Sequence, residues 1–372
     1  MCPAYGSSKH LRVISGPFRP EVLAIALNHL KTVKSPGLNY IFPLFILHAG
    51  SALKSWLCDV FTSFPPTHYS QDLEKSINSW YPKLWKPLWD AKNYRLISLF
   101  YDYFKILERL VYTRVEPIID PLLSQEQAGF RHGSSTVDQI TILMQDIEDI
   151  FSAKRTGAML VDLTAAYETV WHRGLTCKLL RLLPGSYTVR MNMELVDNRS
   201  FTFATGDSKG CRLRRLKNGV PQGSVLARLL FNIYISDLPT TVTRKYAYAD
   251  DLAIMHADGD WQAVEGVVRK DMATAGAYLQ TCKLKLITTK TVSALFHINN
   301  KEAYRELKVN YNNETLPFSP EPKYVGVTLD RSLTHRWHLE SLSKNCHHAS
   351  RSWGGLMAPV WVLEQQRYEQ PL

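Results

Sequence analysis

At 372 residues, with 45% hydrophobic and 21% charged side chains, the chain can bury a sizeable core in two or three domains or subdomains, and its composition excludes wholesale disorder. The 44 Lys and Arg against 34 Asp and Glu give a net charge of +10, a balance suited to a polyanion such as nucleic acid but not restricted to it. Its six cysteines are neither paired at metal-ligand spacing nor dense enough for a disulfide scaffold, so a reduced, intracellular compartment is the simpler expectation.

The opening residues carry no charged-then-apolar leader pattern. Pro20 starts a short helix in RPEVLAIALNHLKTVKSPG, expected to stop near Pro36 and Gly37. Tyr40 to Leu57 is the most apolar stretch, but Pro43, His48 and Lys54 interrupt it. It falls short of the ~20 apolar residues of a membrane span and is expected to be a buried core helix in a soluble or peripheral protein. Phe61 to Arg95 mixes aromatic, Pro and polar residues without periodicity, and reads as loops and short helical turns.

Order improves from Ile97. Phe104, Ile106, Leu107, Leu110 and Val111 recur at helical spacing, and Ser135-Thr136 ahead of Asp138 cap a second helix running to Ile150. Ala158 to Leu163 reads as a buried strand passing into a helix, and RSFTFATG with GCRLRRLKNG as a strand pair. GSVLARLLFNIYISDLP is an apolar helix ended by Asp237, Leu238 and Pro239. KYAYADDLAIM then reads as a hairpin, followed by a helix from about Trp261 to Gln280 and strands at TVSALFHI and KYVGVTLD. Helices and strands interleaved with hairpins imply an α+β fold with a mixed or antiparallel sheet.

Three segments carry the candidate chemistry. In KYAYADDLAIM two adjacent acids stand in an apolar, β-prone run. Asp250 and Asp251 read either as the two residues of a tight turn or as carboxylates projected into a site where divalent cations neutralise their repulsion; magnesium takes such hard oxygen ligands. Two-metal phosphoryl transfer needs a further acid. Asp162 supplies one at the end of an apolar strand, with the N-cap of the following helix as its alternative use. In NGVPQGS, Gly219, Pro221 and Gly223 shape an open backbone before a helix N-terminus, where free N–H groups meet a ligand, and Gln222 can hydrogen-bond a base or sugar edge.

In order, these pieces resemble the reverse transcriptases of non-LTR (LINE-like, jockey-type) retrotransposons. The likeness runs from about Lys92 to Asp330 through NYRLISL (93–99), EQAGFRHGSSTVDQ (126–139), VDLTAAYETVWH (161–172), NGVPQGSVLARLLFNIYISDLP (218–239), YAYADD (246–251), LKLITTKT (284–291) and KYVGVTLD (323–330). The resemblance implies a right-hand polymerase: a palm of antiparallel sheet and helices, partial fingers and a truncated thumb. By it, residues 1–90 are a degenerate upstream region, 91–330 the reverse transcriptase domain (fingers and palm) and 331–372 a thumb remnant. Asp162 and Asp250 would hold two magnesium ions, manganese being the alternative, with Asp251 beside them as a weaker ligand. Tyr167 would pack under the sugar and reject a 2′-hydroxyl. Arg95 would grip the triphosphate, Gln222 and Gly223 line the nucleotide and template side, and Lys290 protonate the leaving pyrophosphate. KYVGVTLD would grip the primer terminus. The implied partners are an RNA template, a DNA primer and deoxynucleoside triphosphates, with no membrane. Arg212, Arg214, Arg215 and Lys217 either join a basic surface for the template or are solvated strand residues. The nucleus is the location the family suggests; oligomeric state is left open.

The chain departs from the family pattern at Leu96 (Pro in the family), Ser134 (Arg), Glu168 (Asp) and Arg228 (Pro), none of them an implied metal ligand. In PKLWKPLWDAKNYR a basic fingers strand is expected to be lost, with Lys83, Lys86 and Lys92 nearby, and SPGLNY (35–40) stands for SPGPDG. The thumb helices are expected to be reduced and no nuclease domain is read. The chain is therefore expected to be a fragmentary retroelement copy, with a catalytically inactive relic that at most binds nucleic acid as the alternative to a working polymerase.

Overall fold

Among the described residues, the helices Pro20–Asn28 and Pro43–Leu47 both begin on a proline, which suits the first turn. The fold is that of a computed structural model, which describes residues 16–30, 41–63, 75–83, 89–90, 93–151, 155–183, 186–197, 199–205, 208–209, 214–239 and 242–352. The apolar stretch expected as one buried helix is two helices, Pro43–Leu47 and Ser51–Ser63, because the chain leaves helical geometry at His48–Gly50. It is also only half buried: Ile46, Leu57 and Cys58 lie inside, whereas Phe45 is 67% and Trp56 57% exposed. Among the described residues no helix is long and apolar enough to cross a membrane.

In chain order the strands are β1 (Lys75–Pro82), β2 (Tyr94–Leu99), β3 (Arg155–Val161), β4 (Ser200–Thr205), β5 (Ser208–Lys209), β6 (Arg214–Arg215), β7 (Arg244–Tyr248), β8 (Asp251–Asp258) and β9 (Val292–Phe296). Short pairs follow: β10 (Asn310–Tyr311) with β11 (Glu314–Thr315), and β12 (Lys323–Tyr324) with β13 (Val327–Thr328). The chain divides into two compact units, residues 1–123 with 167–235, and residues 124–166 with 236–372.

In the first unit the sheet runs β2-β1-β4-β5, with β6 also on β4. β1 is antiparallel to β2 but parallel to β4. β1 corrects the expectation of loops and helical turns between Phe61 and Arg95. Its inward residues include Ser76 and Asn78, both buried, so the strand lacks the apolar alternation that would mark it. Asn78 is satisfied across the sheet, where its Oδ1 accepts from Ser98 Oγ at 2.7 Å. The helix Asp102–Ile119 buries Phe104, Ile106, Leu107, Leu110, Val111 and Val115 as its periodicity predicts. Each such burial stabilises by roughly 1.5–3 kcal/mol relative to exposure.

The second unit is built on the fully antiparallel sheet β7-β8-β3-β9. Against one face, through Ala158, Leu160, Tyr246, Ala253 and Met255, pack Ile140, Leu143 and Ile147 of the helix Thr136–Glu148. The expected capping box starts that helix: Ser135 Oγ accepts from Asp138 N at 3.2 Å, and Asp138 Oδ2 from Ser135 N at 2.8 Å. The helix Trp261–Thr281 packs on the sheet with Val264, Val268, Met272 and Ala275 buried. The architecture is thus mixed helix and largely antiparallel sheet, as the alternation of elements predicts.

Candidate active site

The hairpin forms where the sequence puts it, one residue out of the expected register. Tyr248 pairs with Asp251, so the two turn residues are Ala249 and Asp250, not Asp250 and Asp251. Ala249 takes the left-handed conformation (φ 55°), and Asp251 becomes the first residue of β8. The two acids therefore differ in setting, Asp250 on the turn and Asp251 on the strand.

Asp162 follows directly on β3. The β3–β8 register pairs Val161 with Leu252; carried one residue further, it sets Asp162 opposite Asp251. Its backbone is tied down on both sides: its N–H donates to Thr291 Oγ1 at 3.1 Å and its carbonyl accepts from Ile287 N at 2.9 Å. The next helix, Ala166–Thr169, begins too late for Asp162 to be its N-cap. Lys290 lies on the same loop as Thr291, with Nζ 3.9 Å from Asp162 Oδ2. Both side chains are open to solvent, so this pair is worth under ~1 kcal/mol.

Asp251 shows what gathering these acids costs. Desolvation at its carboxyl, and then the charges of Asp250 and Asp162, push its pKa up to about 6, although the residue as a whole is exposed. Among the described residues no group of three or more His, Cys, Asp and Glu is close enough to form a ready-made metal cage. The donors are nevertheless of the type a hard divalent cation takes: carboxylate oxygens at one sheet end whose mutual repulsion a cation would relieve. Asp162, Asp250, Asp251 and Lys290 all belong to the second unit.

The other predicted residues belong to the first unit. Arg95 stands exposed on β2, opposite Tyr81 of β1. Tyr167 stacks its ring on Phe231 (centroids 4.5 Å apart, 16° between planes), and its carbonyl accepts from Val220 N at 2.8 Å. Gln222 joins two elements: its carbonyl accepts from Ser98 N of β2 at 2.8 Å, and its Nε2 donates to Glu168 Oε1 at 3.1 Å. Gly223 has φ 111°, and a Cβ there would stand 2.5 Å from Ser98 O, so close approach and backbone conformation both demand glycine. Tyr167, Gln222, Gly223 and β2 thereby form one hydrogen-bonded frame.

Glu108 was not foreseen. It is fully buried in the helix Asp102–Ile119 and its carboxylate accepts from Ser224 Oγ, from Val225 N at 2.8 Å and from Arg199 Nη2 at 2.8 Å. Arg199, itself 1% exposed, lies 4.9 Å from the ring centroids of both Phe100 and Phe104. The start of the helix Ala227–Ile235 is therefore held from within by Glu108, where free N–H groups for a ligand were expected. A signal existed: in YFKILERLV the acid falls on the same helical face as Phe104 and Val111. Of the basic residues, Arg214, Arg215 and Lys217 are exposed, Lys83 is half-buried, and Arg212, Lys86 and Lys92 lie outside the described residues.

Residues 82–329, about two thirds of the chain, match the family described as reverse transcriptase (RNA-dependent DNA polymerase). The chain is 27% identical to a probable RNA-directed DNA polymerase from transposon BS of Drosophila melanogaster, over 89% of this chain and 38% of that protein. It is 25% identical to the probable RNA-directed DNA polymerase from transposon X-element of the same species, over 88% of this chain and 36% of that protein. To the RNA-directed DNA polymerase from mobile element jockey of Drosophila funebris it is 29% identical, over 68% of this chain and 28% of that protein. The chain thus spans less than two fifths of the length of these relatives.

Proposed function

The chain belongs to the reverse transcriptase (RNA-dependent DNA polymerase) family, and from that premise we propose that it extends a DNA primer on an RNA template with deoxynucleoside triphosphates, as the polymerase of a non-LTR, jockey-like retroelement. The observation that carries the reading is Asp162 set opposite Asp251 and beside the Asp250 turn at one end of an antiparallel sheet. In this reading that sheet is the palm of a right-hand polymerase, residues 91–330 are its reverse transcriptase domain, and 331–372 belong to a thumb.

Asp162 and Asp250 would hold two divalent ions, magnesium or manganese, with Asp251 as the weaker third ligand. When bound, such ions lower the pKa of the primer 3′-hydroxyl and neutralise charge on the leaving pyrophosphate. The protein's own groups do the rest. Lys290, next to Asp162, offers a proton to the departing pyrophosphate. Tyr167, braced by Phe231, packs under the sugar and excludes a 2′-hydroxyl. Arg95 receives the triphosphate, and the Gln222–Gly223 turn, tied to β2, lines the nucleotide.

Magnesium-dependent extension of a DNA primer on an RNA template tests the reading, with Asp250→Asn and Asp162→Asn as controls. Extension by the parent chain and loss of about 10²–10³-fold in each variant is expected, since each removes a carboxylate that would hold an ion against the transition-state charge. Template binding without extension at any protein concentration would leave this copy an inactive nucleic-acid binder. Equal extension by the variants would overturn the metal assignment.

A further inference from the structure

Because Asp250 is the second residue of a two-residue turn, the direction of its carboxylate depends on the backbone of Ala249. That backbone sits at φ 55°, a region that L-residues with a Cβ seldom occupy unaided. The segment EQAGF lies alongside β7: Ala247 N donates to Glu126 O at 2.8 Å, and Ala128 N to Ala247 O at 2.9 Å, a short parallel bridge. From it the Gln127 side chain, 4% exposed, reaches the turn. Its Oε1 accepts from Ala249 N at 2.9 Å and from Gly129 N at 2.8 Å, while its Nε2 donates to Ala249 O at 3.1 Å. One planar amide thus engages both the N–H and the carbonyl of the strained residue. Gly129 closes the fit, since a Cβ there would stand 2.1 Å from Ala249 N.

We propose that Gln127 is a positioning residue of the polymerase site: its amide locks Ala249 in the left-handed conformation and so fixes how Asp250 and Asp251 present their carboxylates. The inference rests on the polymerase reading of those acids. The residue type follows from the geometry. The clamp needs an acceptor and a donor on one group in a buried place, where every bond left unmade exposes the full cost of desolvation. Glutamate has no donor for Ala249 O and adds a fourth negative charge near Asp162, Asp250 and Asp251. Asparagine is one methylene short of the turn. Methionine matches the shape and makes none of the bonds. Three buried contacts, all to backbone, also set Gln127 apart from a residue that reads a base or sugar.

The test compares the full chain with Gln127→Met and Gln127→Glu. Hydrogen exchange at the Ala249 amide is read first, because it needs no catalysis. It is expected to quicken about 10-fold or more in Gln127→Met, the scale of one lost net hydrogen bond, and less in Gln127→Glu, which keeps the acceptor. Unchanged exchange in both variants would overturn the clamp. Primer extension is read second. In Gln127→Met, kcat is expected to fall about 10- to 100-fold, the scale of a small misplacement of reacting groups, with the nucleotide KM within about 3-fold of the parent. Gln127→Glu, with half the clamp, should recover part of kcat. Faster exchange with unaltered kcat would overturn the positioning role, as would a rise in KM that accounts for the whole loss. If the parent chain extends no primer, the polymerase reading fails, and the exchange comparison still decides whether Gln127 holds the turn. Should Gln127→Met fail to fold, Gln127→Glu against the parent carries both readouts.

Discussion

Asp251 is ionised against the preference of its surroundings. Desolvation, then repulsion from Asp250 and Asp162, raise its pKa from 3.8 to about 6. The folded value lies above the unfolded one, so between about pH 4 and pH 6 the folded chain binds more protons than the unfolded chain, and stability falls as pH rises through that window. Asp251→Asn, tested without divalent ions, should therefore change the melting temperature least near pH 4 and raise stability most at pH 7–8. The gain should be on the order of 1 kcal/mol, well below the full shift because the residue is exposed and screened. Thermal melts at both pH values check this; an equal gain at each would assign the effect to something other than charge. Added magnesium should narrow the gap by stabilising the parent more than the variant. Ala249 offers a second lesson at this scale. Adjacent acids invited the reading of Asp250–Asp251 as the turn, but the partner that pins the turn, Gln127, lies 122 residues away in sequence. Local turn chemistry carries no trace of it.

At the scale of elements, periodicity succeeded where one face of an element is apolar and failed where polar groups are buried. The helix Asp102–Ile119 is legible from Phe104 to Val111, but nothing in that periodicity assigns a role to Glu108 on the same face. It is the anchor of the NGVPQGS segment, through Ser224, Val225 and the buried pair with Arg199. Removing one member of such a pair strands the other's charge in the core, at a cost of roughly 3–5 kcal/mol. Glu108→Gln should accordingly lower stability by about 3 kcal/mol in denaturant unfolding. The double variant Glu108→Leu with Arg199→Met should recover most of it while leaving Ser224 and Val225 untethered. If Glu108→Gln costs under ~1 kcal/mol, the carboxylate is not the anchor assigned to it. β1 was missed for the same reason. Its buried residues include Ser76 and Asn78, and the Asn78 side-chain carbonyl is satisfied inside by Ser98 of β2. A strand therefore stands at 75–82, within the stretch expected to be loops and short helical turns.

For the whole molecule, the surplus of +10 charges predicts affinity for a nucleic-acid template that falls log-linearly with salt. Arg214 and Arg215, exposed on β6, separate the two readings of that surplus. If they contact phosphates, Ala substitution of each should reduce the steepness of the salt dependence by about 1 in log–log terms, measured by filter binding or anisotropy on single-stranded RNA. An unchanged slope would make them solvated strand residues. The division into two units also decides where the implied roles lie. Asp162, Asp250, Asp251 and Lys290 fall in one unit, and Arg95, Tyr167, Gln222 and Gly223 in the other, though they alternate along the chain.

By itself the sequence determined the class of fold, the order of the main helices and strands, and the family, because these rest on local periodicity and on motifs that short stretches carry whole. The Ser135 cap, the β7–β8 hairpin and the strand leading to Asp162 could all be read without a partner. Tertiary structure alone decided the register of the β7–β8 turn, the identity of β1, and the hydrogen-bond partners of Gln127 and Glu108. Each of these depends on a buried polar group being satisfied by a residue distant in sequence, and until that partner is in place the group reads as a break in the pattern rather than the reason for it.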